Sequence, residues 1–170
     1  MIYKTVTMGL INPKSASNVA SILRAAGCYG VSAVYYTGQR FGYAKEFNAD
    51  TQRMRDKIPT VGVDDLLAYK PQGASVVVVE LVENAIPLPE FTHPEDAYYI
   101  LGPEDGSVPI EIVETADAVV YVPTFNSMNL GATGNVILYD RLAKQSYDRS
   151  NTLIQNSRDN NNNHKRNSNK

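Results

Sequence analysis

One cysteine, no tryptophan and two histidines occur among 170 residues. A lone thiol, Cys28, excludes an internal disulfide framework and suits a reducing compartment, so a cytoplasmic protein is expected. With His93 and His164 the only imidazoles, no closed metal site is expected. No run of eighteen apolar residues is present, which argues against a membrane-spanning helix. The opening Met-Ile-Tyr-Lys-Thr-Val-Thr-Met lacks the basic start and long apolar stretch of a signal peptide and reads as a first strand. Familiar catalytic signatures are missing too. Leu10-Ile11-Asn12-Pro13 stands where a Gly-x-Gly-x-x-Gly would follow the first strand, and there is neither a Walker motif nor a Gly-x-Ser-x-Gly elbow. These absences argue against an ordinary Rossmann dinucleotide or methyl-donor loop, a P-loop and an α/β-hydrolase.

What is present is an apolar content of 43%, enough for a real core in one domain, expected over residues 1–150. The net charge of −2 hides a gradient. Residues 1–70 carry nine Lys and Arg against five Asp and Glu, residues 71–150 three against twelve, and residues 151–170 four against one. Basic groups gathered on one face suit nucleic acid, and Lys14, Arg40, Lys45, Arg53 and Arg55 are the candidates; the plain alternative is solvated surface charge. Eight of the last twenty residues are Asn, a composition that buries too little to offset ordering entropy, so 151–170 is expected to be a disordered, basic, Asn-rich tail.

Strand-like runs at 2–10, 31–37, 75–82, 97–101 and 118–122 alternate with helix-like segments near 16–28, 64–70, 109–116 and 129–147. Ser75–Val82 is a nearly continuous Val run, as expected of a strand covered on both faces. The alternation predicts an α/β domain with a mostly parallel sheet flanked by helices. In the first helix Val19, Ile22, Leu23 and Ala26 form the apolar stripe, Ser15 or Ser17 caps the start, and Gly27 or Gly30 ends it. Arg24 falls off that stripe. The stretch 38–60 has no clear period and reads as a long, partly helical excursion.

Open α/β sheets bind ligands where loops converge at the carboxyl ends of their strands. Three stretches stand at such junctions: 18–24, 101–106 and 122–130. In Gly102-Pro103-Glu104-Asp105-Gly106, Gly102 lets backbone approach a ligand, Gly106 tolerates positive φ, and Pro103 fixes the turn; an ordinary turn with helix-capping acids fits equally. In the third stretch Ser127 and Asn129 suit helix capping. Gly131, Ala132 and Gly134 follow, and each glycine costs about 1 kcal/mol of helix propensity, which points to close backbone approach. His93, in a Pro-flanked loop without a nucleophile partner, reads as a surface residue.

Asn18-x-x-x-x-x-Arg24, Gly102-Pro-Glu104-x-Gly106 and Pro123…Ser127-Met-Asn129-Leu130, followed by Val-Ile-Leu-Tyr-Asp-Arg, resemble as a set the three motifs of the SpoU (TrmH-like) RNA ribose methyltransferases of the SPOUT superfamily. The resemblance runs from about residue 5 to 144. It implies a C-terminal trefoil knot, a homodimer, S-adenosylmethionine as cofactor, and methylation of a ribose 2′-hydroxyl with tRNA favoured over rRNA. It further implies that Arg24 is the catalytic residue, positioned by Asn18, with Glu104 bracing the first motif and Asn129 orienting the third or contacting the hydroxyl. Gly102, Val122 and Ser127, mainly through backbone groups, together with Leu81, Gly106 and Leu130, would hold the methyl donor. The third motif is shorter than usual, with only Thr124-Phe125-Asn126 between its proline and Ser127, and Ala20 stands where many relatives place glycine. A non-catalytic RNA-binding protein of the same fold is the alternative, and a different small-molecule enzyme on this scaffold a weaker one.

Overall fold

The computed structural model describes residues 4–44, 56–159, 161 and 164–165. Its strands β1 (Val6–Leu10), β2 (Ala33–Tyr36), β3 (Thr60–Gly62), β4 (Ser75–Val79), β5 (Ile86–Pro87), β6 (Ala97–Leu101) and β7 (Ala118–Tyr121) form one sheet in the order β3-β2-β1-β6-β4-β7-β5. Every pairing is parallel. The helices are α1 (Ala16–Tyr29), α2 (Arg40–Ala44), α3 (Ile110–Thr115), α4 (Leu130–Ala143) and α5 (Asn151–Ser157).

The central strands are apolar throughout because both faces are covered. Residues 97–101 are all buried. Tyr99 and Leu101 share one core with Met8, Leu10, Val77 and Val79 beneath α1 and α4. Tyr98 and Ile100 share the other with Val76, Val78, Leu66 and Val108, against which α3 packs. In α1, Ser15 accepts from the amide of Asn18 at 3.4 Å, and Gly30, at φ 71°, ends the helix with its N–H on the carbonyl of Ala26.

Helices α1 and α4 touch closely because α4 carries glycine at the contact. A Cβ on Gly131 would lie 2.6 Å from the Ser21 Cβ, and one on Gly134 would lie 2.2 Å from the Ile22 Cδ1. The close backbone approach expected from these small residues is therefore to another helix.

Several boundaries depart from the sequence expectation. Strands β3 and β5 are too short to show a period. The helix expected over 64–70 is only a 3₁₀ turn, Leu67–Tyr69. Helix α4 stops at Ala143 instead of 147, where Lys144 swings its ammonium onto the carbonyls of Leu88 and Phe91 at 2.6 and 2.9 Å. The tail expected to be disordered opens with α5, capped by Ser150 and without a buried residue. Lys45, Arg53 and Arg55 lie outside the described residues, as do 1–3 and the middle of the 38–60 excursion, residues 45–55.

Candidate active site

Because all strands run the same way, the loops after β1, β4, β6 and β7 meet at one edge of the sheet. There Glu104 accepts three hydrogen bonds. Its Oε1 takes the Asn18 side-chain amide and the Ser15 backbone amide, both at 2.9 Å, and its Oε2 takes the Lys14 amide at 2.8 Å. A carboxylate at the first turn of α1 complements the helix dipole and satisfies amides that the helix cannot. Burial raises the Glu104 pKa, but the bonds from Asn18, Lys14 and Ser15 outweigh it and hold the carboxyl below its ordinary value.

The chain of bonds continues. Asn129 donates from Nδ2 to the Asn18 Oδ1 at 2.6 Å, and its own Oδ1 caps α4 by accepting from Gly131 and Ala132 at 2.8 and 3.2 Å. One end of this relay is a carboxylate that only accepts, the other a pair of amides that only donate. The orientation of both asparagine side chains is thereby fixed.

Beside the relay lies a cavity of about 180 Å³. Leu81, Gly102, Gly106, Val122, Ser127 and Leu130, the six residues expected at the donor, all line it, as does Glu104. Gly102 is needed for space: a Cβ there would lie 3.1 Å from the Glu80 Oε2 and 3.1 Å from the Val108 amide. Gly106, by contrast, does not take positive φ; its value is close packing, with a Cβ only 3.2 Å from Pro103 Cγ. Arg24 is exposed on α1, six residues and about 9 Å of helix rise beyond Asn18.

Glu80 and Met128 are among the wall residues that the sequence did not point to. Glu80 accepts from the amides of Leu81 and Val108 at 2.8 and 2.9 Å, bracing the loops after β4 and β6 against each other. Its only signal was an acid directly after a Val run. Met128 also lines the cavity and gave no signal beyond its place inside the third motif.

Two basic candidates carry acidic partners. Arg40 donates to both Asp105 carboxylate oxygens at 2.9 Å, and Lys14 lies 3.6 Å from Asp105. The hydrogen bond from Arg40 is the chief reason that the Asp105 carboxyl is held below its ordinary value.

His93 is not the surface residue expected. Its side chain is 1% exposed, with Nδ1 2.6 Å from the Tyr99 hydroxyl and Nε2 2.8 Å from Asp140. Arg141, itself 6% exposed, donates to the Tyr99 oxygen at 3.2 Å and to the carbonyls of Pro94 and Glu95. With Arg141 donating to the Tyr99 oxygen, the Tyr99 O–H donates a hydrogen bond to Nδ1 and Nε2–H donates to Asp140, the pattern of a neutral imidazole. Burial pushes the His93 pKa below its ordinary value in spite of Asp140. This cluster involves the approach to β6 and the end of α4, away from the cavity. Among the described residues no group of three or more His, Cys, Asp and Glu is placed to hold a metal ion, and no helix is long and apolar enough to cross a membrane.

A wholly parallel α/β sheet whose carboxyl-end loops close on one cavity defines a ligand-binding domain of the open α/β class. Within that class the chain belongs to the SpoU rRNA Methylase family, whose family model matches residues 5–139, and so to the SPOUT superfamily. It is similar to the tRNA (guanosine(18)-2′-O)-methyltransferase of Aquifex aeolicus (strain VF5), with 27% identity over 136 residues, covering 76% of this chain and 64% of that protein. The chain thus spans less than two thirds of the curated relative. Its fold matches the crystal structure of the A. aeolicus TrmH/SpoU tRNA modifying enzyme with a TM-score of 0.73 at 26% identity, over 84% of this chain and 76% of that one. It also matches the SpoU methyltransferase AviRb from Streptomyces viridochromogenes, solved in complex with the cofactor AdoMet, with a TM-score of 0.74 at 16% identity, over 85% and 59%. That last likeness shows the fold alone.

Proposed function

We propose that this protein is an S-adenosylmethionine-dependent RNA methyltransferase acting on a ribose 2′-hydroxyl, with tRNA preferred to rRNA. The observation that carries this reading is the convergence of the three motif loops on one cavity beside the Glu104–Asn18–Asn129 relay. The tRNA preference is supported by the Aquifex relative, which is named for that activity.

The cavity fits the cofactor. Leu81, Val122 and Leu130 offer apolar walls for a purine, the backbone near Gly102, Gly106 and Ser127 offers polar atoms, and the space at Gly102 is kept open by its missing Cβ. When bound, S-adenosylmethionine supplies an electrophilic methyl group on a sulfonium. The work of the protein is then alignment, desolvation and charge stabilisation. Arg24 orients the 2′-oxygen and stabilises its developing negative charge; a guanidinium stays protonated at neutral pH and is a poor base. Glu104 is a poor base as well, since three donors hold it ionised. It braces the start of α1 instead. Asn18 and Asn129, each with one fixed orientation, hold the first and third motifs at a constant separation.

Lys14, with Lys45, Arg53 and Arg55, holds the RNA backbone; the support is the basic balance of residues 1–70. The active unit is a homodimer with a C-terminal trefoil knot. Supporting these are the family resemblance, the exposed Tyr139, Leu142, Leu153 and Ile154 on α4 and α5, and the insertion of β7 between β4 and β5. A cytoplasmic location accords with the free, exposed Cys28.

The test is to map 2′-O-methyl positions in total RNA with and without the gene, and to titrate the purified protein with S-adenosylmethionine. Loss of one tRNA mark together with saturable donor binding is expected. Donor binding without any lost mark would overturn the RNA reading, and no donor binding would leave the non-catalytic alternative.

A further inference from the structure

Glu104 and Asp105 are neighbours in one loop, yet they fasten different things. Glu104 takes the amides of Lys14 and Ser15 and the side chain of Asn18. Asp105 takes the Arg40 guanidinium through both carboxylate oxygens. The same guanidinium donates from Nε to the Asn12 carbonyl at 3.0 Å and from its other terminal nitrogen to that same oxygen. Arg40 therefore joins the turn after β1, the start of α2 and the loop after β6. The turn it grips is unusual. Asn12 has φ 39°, and Gly38, at φ 75°, lies so close that a Cβ there would meet the Asn12 side chain at 2.1 Å. A planar fork can bond a carboxylate and a carbonyl together, which an ammonium cannot do with the same directionality. Arg40 is also the more enclosed of the two cations at Asp105, its side chain 32% exposed against 64% for Lys14.

We propose that Arg40 is a positioning residue: through Asp105 it fixes the loop 102–106 against the turn 11–15, and so sets the edge of the cavity made by Gly102 and Gly106. The inference rests on the methyltransferase reading above and gives Arg40 a task other than contact with RNA. Because the Lys14 and Ser15 amides bond the residue next to Asp105, they report on the brace without any ligand.

The experiment compares Arg40→Ala, Asp105→Asn and the double variant with the intact protein by amide hydrogen exchange, S-adenosylmethionine titration, tRNA binding without donor, and urea unfolding. Expected are about tenfold faster exchange at Lys14 and Ser15 and about tenfold weaker donor binding in each single variant, with the double variant no worse than either, as for two groups acting as one unit. The urea midpoint is unchanged. If Arg40→Ala weakens only tRNA binding while Asp105→Asn matches the intact protein throughout, Arg40 is an RNA contact and the proposal is overturned. Wild-type exchange at Lys14 and Ser15 in both single variants overturns it too. Should Arg40→Ala fail to fold, Asp105→Asn decides alone. Should the intact protein bind no donor, the methyltransferase reading falls, while the exchange comparison still decides the brace.

Discussion

Helix α4 starts on Asn129, whose side chain is exposed and reaches Asn18 and through it Glu104; it ends on Asp140, Arg141 and Lys144, which grip Pro94, Glu95, Leu88 and Phe91 around a buried His93. Both ends are polar networks tying α4 to the neighbourhood of β6. At the finishing end the His93 and Arg141 side chains meet their partners out of water, where an unmade bond costs most, with the partly exposed Asp140 and Lys144 around them. At the starting end the groups stand at the rim of a cavity and remain reachable. One end is built to hold, and the other is the one to which the proposed function gives a ligand.

Substitutions can break or sharpen that contrast. Arg24→Ala is expected to lower methyl transfer about 10²–10³-fold, the cost of losing one preorganised charge stabiliser, with the urea midpoint unmoved. Arg24→Lys with near-normal activity would refute the need for a guanidinium. At the other end of the helix, Arg141→Met takes one of two partners from the Tyr99 hydroxyl and the side-chain donor from two carbonyls, and is expected to destabilise the fold by about 3 kcal/mol in urea unfolding. Donor affinity of the folded fraction stays unchanged. If Arg141→Met abolished donor binding in folded protein, the two ends would not be separate.

Between the networks, Gly131→Ala drives a methyl group towards the Ser21 Cβ, 2.6 Å away. A loss of about 1–2 kcal/mol is expected from overpacking, even though alanine is the better helix former. A stabilised variant would show that α1 and α4 have slack between them.

The smallest effect is a pH slope. His93 is neutral in the fold with its pKa below the ordinary 6.5, so the unfolded chain takes a proton first on acidification. The stability that His93 confers is complete above pH 6.5 and is lost as the pH falls below it. Glu104 and Asp105 are lowered carboxyls, and what they contribute is lost only below the ordinary carboxylate range. Unfolding midpoints between pH 7.5 and 5.5 should therefore fall in the intact protein and lie flatter in His93→Gln.

The sequence made the carboxyl-end site far more legible than the network at the other end of α4. Asn18, Glu104 and Asn129 stand at loop–helix junctions, where local rules for caps and turns apply, and the family resemblance linked them across more than a hundred residues. Strands β4 and β6 were equally plain, because burial on both faces leaves continuous apolar runs. His93 was read as a surface residue because nothing near it in sequence reveals Tyr99 and Asp140 closing over it from elsewhere. Gly131 and Gly134 announced a close approach but not its partner, since a glycine records that space is short and not what fills it. β3 and β5 span three residues and two, below the length at which any alternation shows.

The strand order also governs when the protein can become itself. β6 lies between β1 and β4, and β7 between β4 and β5, so the last two strands in the chain are wedged into the interior of the sheet. A chain emerging from its N-terminus makes β1, β2 and β4 well before the strand that joins them, and Ser75–Val79 waits as an unpaired apolar ribbon. Parallel pairings across such separations close slowly. The loops that bear Glu104 and Asn129 directly follow those two late strands, so the site and the finished sheet come into being in the same closing stage of folding.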